Sequence, residues 1–118
     1  MALEKLPGIK QFDLSGKTAI ITGGSKGLGL AMAAGLASAG ASILLVNRNA
    51  SEGAQAANEL STLYRTRVAS FGADITEKDQ TEAMMAMALD TYGKVDILIN
   101  SAGINIRGAI DEIKPDDF

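Results

Sequence analysis

Apolar residues in this chain fall into short runs separated by longer stretches of mixed character. Four runs have the length and composition of β-strands: residues 18–22, Ser42-Ile43-Leu44-Leu45-Val46, residues 67–71, and Val95-Asp96-Ile97-Leu98-Ile99. The second and fourth are almost uninterrupted apolar runs, as strands covered on both faces should be. The stretches between them predict helices. The first spans about 27–39 and stops at Gly40, a good residue for the position just past a helix. A second fits about 51–63, capped by Asn49 or Ser51. A third starts after Thr76, read as its N-cap with Asp79 three residues on, and ends near Gly93. Residues 112–118 resemble the start of another helix, with Pro115 as a complication. Residues 1–16 read as a polar lead-in that closes on the turn Leu14-Ser15-Gly16-Lys17.

Strand and helix alternate throughout, which predicts an α/β fold of β-α-β units around a parallel sheet. A strand order of 3-2-1-4 would place the end of the first strand at a switch point, where such sheets bind ligands. Met84, Met85 and Met87 sit together on the third helix. Methionines can form an adaptable binding face, but packing against the sheet is the favoured reading here.

Composition narrows the chemistry. A length of 118 residues suits one domain. The net charge of −3 leaves no basic excess for nucleic acid. No apolar run approaches the ~20 residues that span a bilayer, and the first residues are too polar for a secretion signal. The expectation is therefore a cytoplasmic protein without nucleic-acid or membrane partners. Cysteine and histidine are both absent, so this sequence offers no disulfide, no thiolate and no zinc site built on those ligands. No metal site is expected.

The stretch Thr22-Gly23-Gly24-Ser25-Lys26-Gly27-Leu28-Gly29 joins the first strand to the first helix. A turn of this kind brings the free N–H groups of a helix start to one point, where an anion can sit. Glycine permits a tight turn, close approach of a phosphate and close packing of helix on strand. Two other motifs compete for these residues. The triphosphate loop G-x-x-x-x-G-K-[ST] fails, because Gln11 stands where its first glycine belongs before Gly16-Lys17-Thr18. The nucleophile elbow G-x-S-x-G matches Gly23 to Gly27 literally, but a serine hydrolase of that type needs a histidine base.

The spacing G-x-x-x-G-x-G, with the threonine before it, resembles the short-chain dehydrogenase/reductase family. Asp74-Ile75 after the third strand resembles the family's aspartate at the adenine. Asn100-Ser101-Ala102-Gly103 resembles its usual N-N-A-G at the end of the fourth strand, with Ser101 in place of asparagine. Leu14-Ser15-Gly16-Lys17-Thr18-Ala19 resembles the family's approach to its first strand. The resemblance covers roughly residues 12–118. It implies a Rossmann-type three-layer α/β sandwich over residues 17–118, with strand order 3-2-1-4 and truncated after strand four. It also implies cofactor contacts from Gly23, Ser25, Lys26, Gly27, Leu28 and Gly29 in the turn, and from Asn47 and Arg48 after the second strand. Asp74, Ile75, Asn100, Ala102 and Gly103 complete the set. For Asp74 the plainer role is to cap the turn that follows the third strand. For Asn100 it is to bond neighbouring backbone.

Cofactor choice is read at the end of the second strand. A carboxylate there accepts hydrogen bonds from the ribose of NAD and repels an added phosphate. Val46-Asn47-Arg48 offers none. Arg48 can hold a 2′-phosphate through its planar fork, and Lys26 can approach the same phosphate. NADP is thus expected over NAD. The plainer reading of both side chains is ordinary solvated surface charge.

Hydride transfer to a carbonyl also needs a proton partner. The resemblance implies a tyrosine four residues before a lysine, on one helix face, with the lysine lowering the tyrosine pKa. Tyr64 is followed at that spacing by Val68, and Tyr92 by Asp96. No catalytic residue is therefore assigned. The expectation is the cofactor-binding part of an oxidoreductase acting on a carbonyl or alcohol, inactive alone. The alternative is a cofactor-binding or interaction module without chemistry of its own. An open edge on the fourth strand would favour self-association.

Overall fold

The computed structural model describes residues 8–101. After a short 3₁₀ turn at Gly8–Phe12, strands and helices alternate in the order β1 (Thr18–Thr22), α1 (Gly27–Ser38), β2 (Ser42–Asn47), α2 (Ala50–Tyr64), β3 (Val68–Gly72), α3 (Lys78–Tyr92) and β4 (Ile97–Asn100). The four strands form one sheet in the order β3-β2-β1-β4. Every pairing is parallel. The expected strand order and fold class are both found.

Side-chain alternation along the central strands builds two cores. Ile21, Ile43 and Leu45 face one side and pack on Ala33 and Ala37 of α1 and on Ala56, Ala57 and Leu60 of α2. Ile20, Leu44 and Val46 face the other side, against Met84 and Ala88 of α3. Strands sandwiched in this way are apolar at every position, which explains the unbroken run of β2; β4 departs from the expectation, because it is the edge strand among the described residues and its side chains alternate between half-buried and exposed. Each fully buried Leu or Ile contributes roughly 1.5–3 kcal/mol. Small residues line the inner faces of α1 and α2, so these helices lie close to the sheet. Of the α3 methionines, Met84 is buried and Met87 packs beside it, while Met85 is exposed.

Local details differ from expectation at several ends. β2 runs one residue further, through Asn47, because its pairing with β3 continues to Asn47 opposite Gly72. β4 starts at Ile97 rather than Val95, because Asp96 is occupied differently: its carboxylate accepts the Thr18 N–H at 2.9 Å. The N-cap position of α3 is Glu77, with no capping side chain, and not Thr76. Thr76 is drawn away by Asp74, whose Oδ1 accepts both its N–H (3.0 Å) and its hydroxyl (2.6 Å). Asn49 is the cap of α2, since its Oδ1 accepts the Glu52 N–H at 3.1 Å; Ser51 instead donates to Asn49. Gly40 has φ of +100°, and this left-handed residue ends α1 as expected. The expected helix at 112–118 lies outside the described residues.

Candidate functional site

The order β3-β2-β1-β4 makes α1 leave the sheet from the carboxyl end of β1, between strands that diverge in sequence. Loops after β1, β2 and β3 meet there around a cavity of about 540 Å³. That size falls within the range of small-molecule and cofactor pockets.

The glycines of the turn divide their work. Gly23 (φ +68°) and Gly27 (φ +56°) take left-handed backbone conformations that other residues rarely adopt. Gly29 is needed for close approach: a Cβ there would overlap the Gly23 carbonyl oxygen and stand 2.5 Å from the Ser101 hydroxyl. The turn is anchored below by the Gly23 N–H, which donates to the Val46 carbonyl at 2.8 Å. Among the described residues no side chain caps α1 at Lys26. The N–H groups of its first turn, which point out of any helix start, are thus not taken by a cap, as an anion site requires.

Six of the expected residues line the cavity itself: Gly23, Ser25, Lys26, Asn47, Arg48 and Ile75. Gly27 and Gly29 shape the turn behind it. Leu28 is 73% exposed and does not line the cavity. Asp74 stands just outside it, while its neighbours Ala73, Ile75 and Thr76 line the wall. Asn100 accepts the Thr22 hydroxyl at 2.7 Å, tying β4 to β1 beneath the turn. Ala102 and Gly103 lie outside the described residues. Ser101, in place of the expected asparagine, keeps a local bond, because its hydroxyl donates to the Thr22 carbonyl.

Asn47 is the most telling polar group. It is 8% exposed, and among the described residues neither its amide nitrogen nor its amide oxygen has a hydrogen-bond partner. A buried amide left unpaired costs roughly 1–3 kcal/mol. Its backbone carbonyl, by contrast, is used by the Ala73 N–H at 2.9 Å. Because Asn47 also lines the cavity, its amide leaves one donor group and one acceptor uncommitted in the wall.

Both basic residues at the cavity are paired. Lys26 Nζ stands 3.1 Å from Glu52 Oε1. Arg48 stands 3.5 Å from Asp74 Oδ1. The Asp74 carboxyl is held below its usual pKa chiefly by the Thr76 hydroxyl, then by the Thr76 N–H, with Arg48 adding less. The turn-capping role of Asp74 is thus present in the structure. Glu52 was missed by sequence reasoning, although its place three residues after the Asn49 cap aims it toward the end of β2.

Neither tyrosine serves this site. The Tyr92 hydroxyl donates to the Ile43 carbonyl at 2.8 Å, at the opposite end of β2. Burial pushes its pKa up, against what a proton donor to a carbonyl needs, and the guanidinium of Arg67, over its ring at 4.7 Å, only partly offsets this. Among the described residues no group of acidic side chains could hold a metal ion, and no helix is long and apolar enough to cross a membrane.

The sequence pattern of the short chain dehydrogenase family matches residues 17–118. The chain belongs to that family. Its members are oxidoreductases that bind nicotinamide dinucleotides. The chain is 39% identical over 103 residues to D-beta-hydroxybutyrate dehydrogenase of Cupriavidus necator, covering 87% of this chain and 40% of that protein. It is 39% identical over 109 residues to gluconate 5-dehydrogenase of Gluconobacter oxydans, covering 91% and 41%. The crystal structure of L-sorbose reductase from Gluconobacter frateurii, complexed with NADPH and L-sorbose, superposes with a TM-score of 0.80 at 35% identity, covering 89% of this chain and 40% of the other. This short-chain dehydrogenase chain thus spans about two fifths of the length of these relatives.

Proposed function

We propose that this chain is the cofactor-holding part of an NADP-dependent oxidoreductase that interconverts a carbonyl and an alcohol. The observation that carries the reading is the joint placement of Lys26 and Arg48 on one cavity beside the glycine turn, with the neutral Asn47 where a carboxylate would select NAD. A similar protein whose structure contains NADPH supports it.

The residues suit the group. The N–H groups at the start of α1 would receive the pyrophosphate. The unpartnered Asn47 amide would bond the adenosine part, and Arg48 and Lys26 the 2′-phosphate. Ile75 would lie against the adenine, with Asp74 close by. Leu28 contributes to the turn alone. Asn100 acts through Thr22, holding β4 in place. When bound, the nicotinamide supplies or accepts the hydride. No tyrosine–lysine pair at the required spacing occurs here, so these residues bind the cofactor without using it. Similar proteins named as dehydrogenases of D-beta-hydroxybutyrate and gluconate support a small hydroxylated substrate for the longer protein.

Titration of the chain with NADPH and NADH, followed by calorimetry, tests this. NADPH should bind more tightly. Arg48→Asp should reverse the preference by removing a charge-assisted bond of roughly 1.5–3 kcal/mol, about one to two decades of affinity. Unchanged relative affinities in that variant would sink the assignment. A panel of carbonyl compounds should give no NADPH oxidation above background with this chain alone.

A further inference from the structure

Glu52 occupies an unusual position for a residue at a helix start. It lies three residues after the Asn49 cap, where a glutamate commonly reaches back to the cap's own N–H. The cap bond to the Glu52 N–H is present at 3.1 Å. Among the described residues, however, the Glu52 carboxylate is engaged by Lys26 instead, 3.1 Å away and across the cavity mouth. Both residues line the cavity. With Arg48 paired to Asp74, each of the two cations faces one carboxylate.

We propose that Glu52 is a specificity-determining residue that limits how strongly this cavity prefers a 2′-phosphorylated nucleotide. The inference rests on the cofactor reading above and deepens it. A phosphate monoester carries a charge of about −1.5 to −2. To use Lys26, it must compete with the Glu52 carboxylate and then stand beside it. A nucleotide with a free 2′-hydroxyl meets no such penalty. Glu52 therefore weakens the binding of the 2′-phosphorylated class more than that of the other.

The test is calorimetric titration of the full chain with adenosine 2′,5′-bisphosphate and with adenosine 5′-monophosphate. Glu52→Gln should raise the affinity ratio for the bisphosphate over the monophosphate by about 1.5- to fivefold, the range expected for a partly exposed charge pair. Glu52→Ala should act in the same direction. The gain should shrink when Lys26→Met is added, which leaves only the direct repulsion, and it should shrink further as salt is raised. An unchanged or lowered ratio in both Glu52 variants overturns the inference, even if the wild-type chain binds the bisphosphate well. If wild type and both variants bind neither nucleotide, the cofactor reading itself fails and the inference falls with it.

Discussion

The same substitution at two positions of α1 should have opposite effects. At Gly29, an alanine Cβ would overlap the Gly23 carbonyl oxygen and lie 2.9 Å from the Gly23 carbonyl carbon. Those are backbone atoms of the turn, and Gly23 is itself fixed by its bond to Val46. Nothing flexible can yield. Overpacking of this kind costs about 1–3 kcal/mol, offset in part by up to about 1 kcal/mol of helix propensity. The net expectation for Gly29→Ala is a loss of roughly 1–2 kcal/mol. At Gly35, two turns along the same helix, no atom lies within 4 Å of the added Cβ. There the propensity gain stands alone, and Gly35→Ala should stabilise by about 0.5–1 kcal/mol. Urea unfolding followed by far-ultraviolet circular dichroism measures both. The two variants should differ by roughly 1.5–3 kcal/mol, which in a domain of this size separates their melting temperatures by about 6 °C or more. Nucleotide affinity should fall in Gly29→Ala and stay unchanged in Gly35→Ala. A Gly29→Ala chain as stable as Gly35→Ala would refute the claim that the turn is closed by backbone contact at Gly29.

Two further outcomes follow from the sheet. The Asp96 carboxyl lies below its ordinary pKa, chiefly through the Thr18 N–H, with Lys94 and Lys17 adding to it. A depressed folded pKa gives stability that is present above the unfolded value and is lost as pH falls through the folded one. Asp96→Asn should therefore flatten the acid limb of stability, below about pH 4, and identical limbs in the two proteins would remove Asp96 from that role. On β4, Leu98 is 62% exposed and β1 is the neighbouring strand among the described residues. The chain should self-associate at micromolar concentration, and Leu98→Lys should reduce this; sedimentation that shows wild type and variant equally monomeric would count against an adhesive β4 surface.

The readable parts of the molecule were those with a local physical cause. Ile43 to Val46 is apolar at every step because both faces of the strand are covered. The similar run in β4 does not carry the same meaning among the described residues, where that strand lies at the sheet edge with Leu98 exposed. The glycine turn was equally plain, since its left-handed residues admit little but glycine. Helix starts were harder to read. Thr76 and Asn49 are both acceptable caps by type, and only Asn49 serves, because Asp74 takes the Thr76 N–H and hydroxyl for its own turn. Leu28 belongs to the turn by sequence, yet its side chain is directed to solvent.

By itself, then, the sequence determined the alternation of elements, the parallel sheet and the anion-binding turn at the end of β1. Each follows from periodicity or from a backbone conformation, which neighbouring residues impose on one another. The tertiary structure alone decided which charges face each other at the cavity. Lys26 and Glu52 are separated by a helix, a strand and a helix start, as Arg48 and Asp74 are by a helix and a strand. No spacing rule brings them together. Only the sheet, by setting these segments side by side, gives each cation a carboxylate and leaves the Asn47 amide buried and, among the described residues, unpaired.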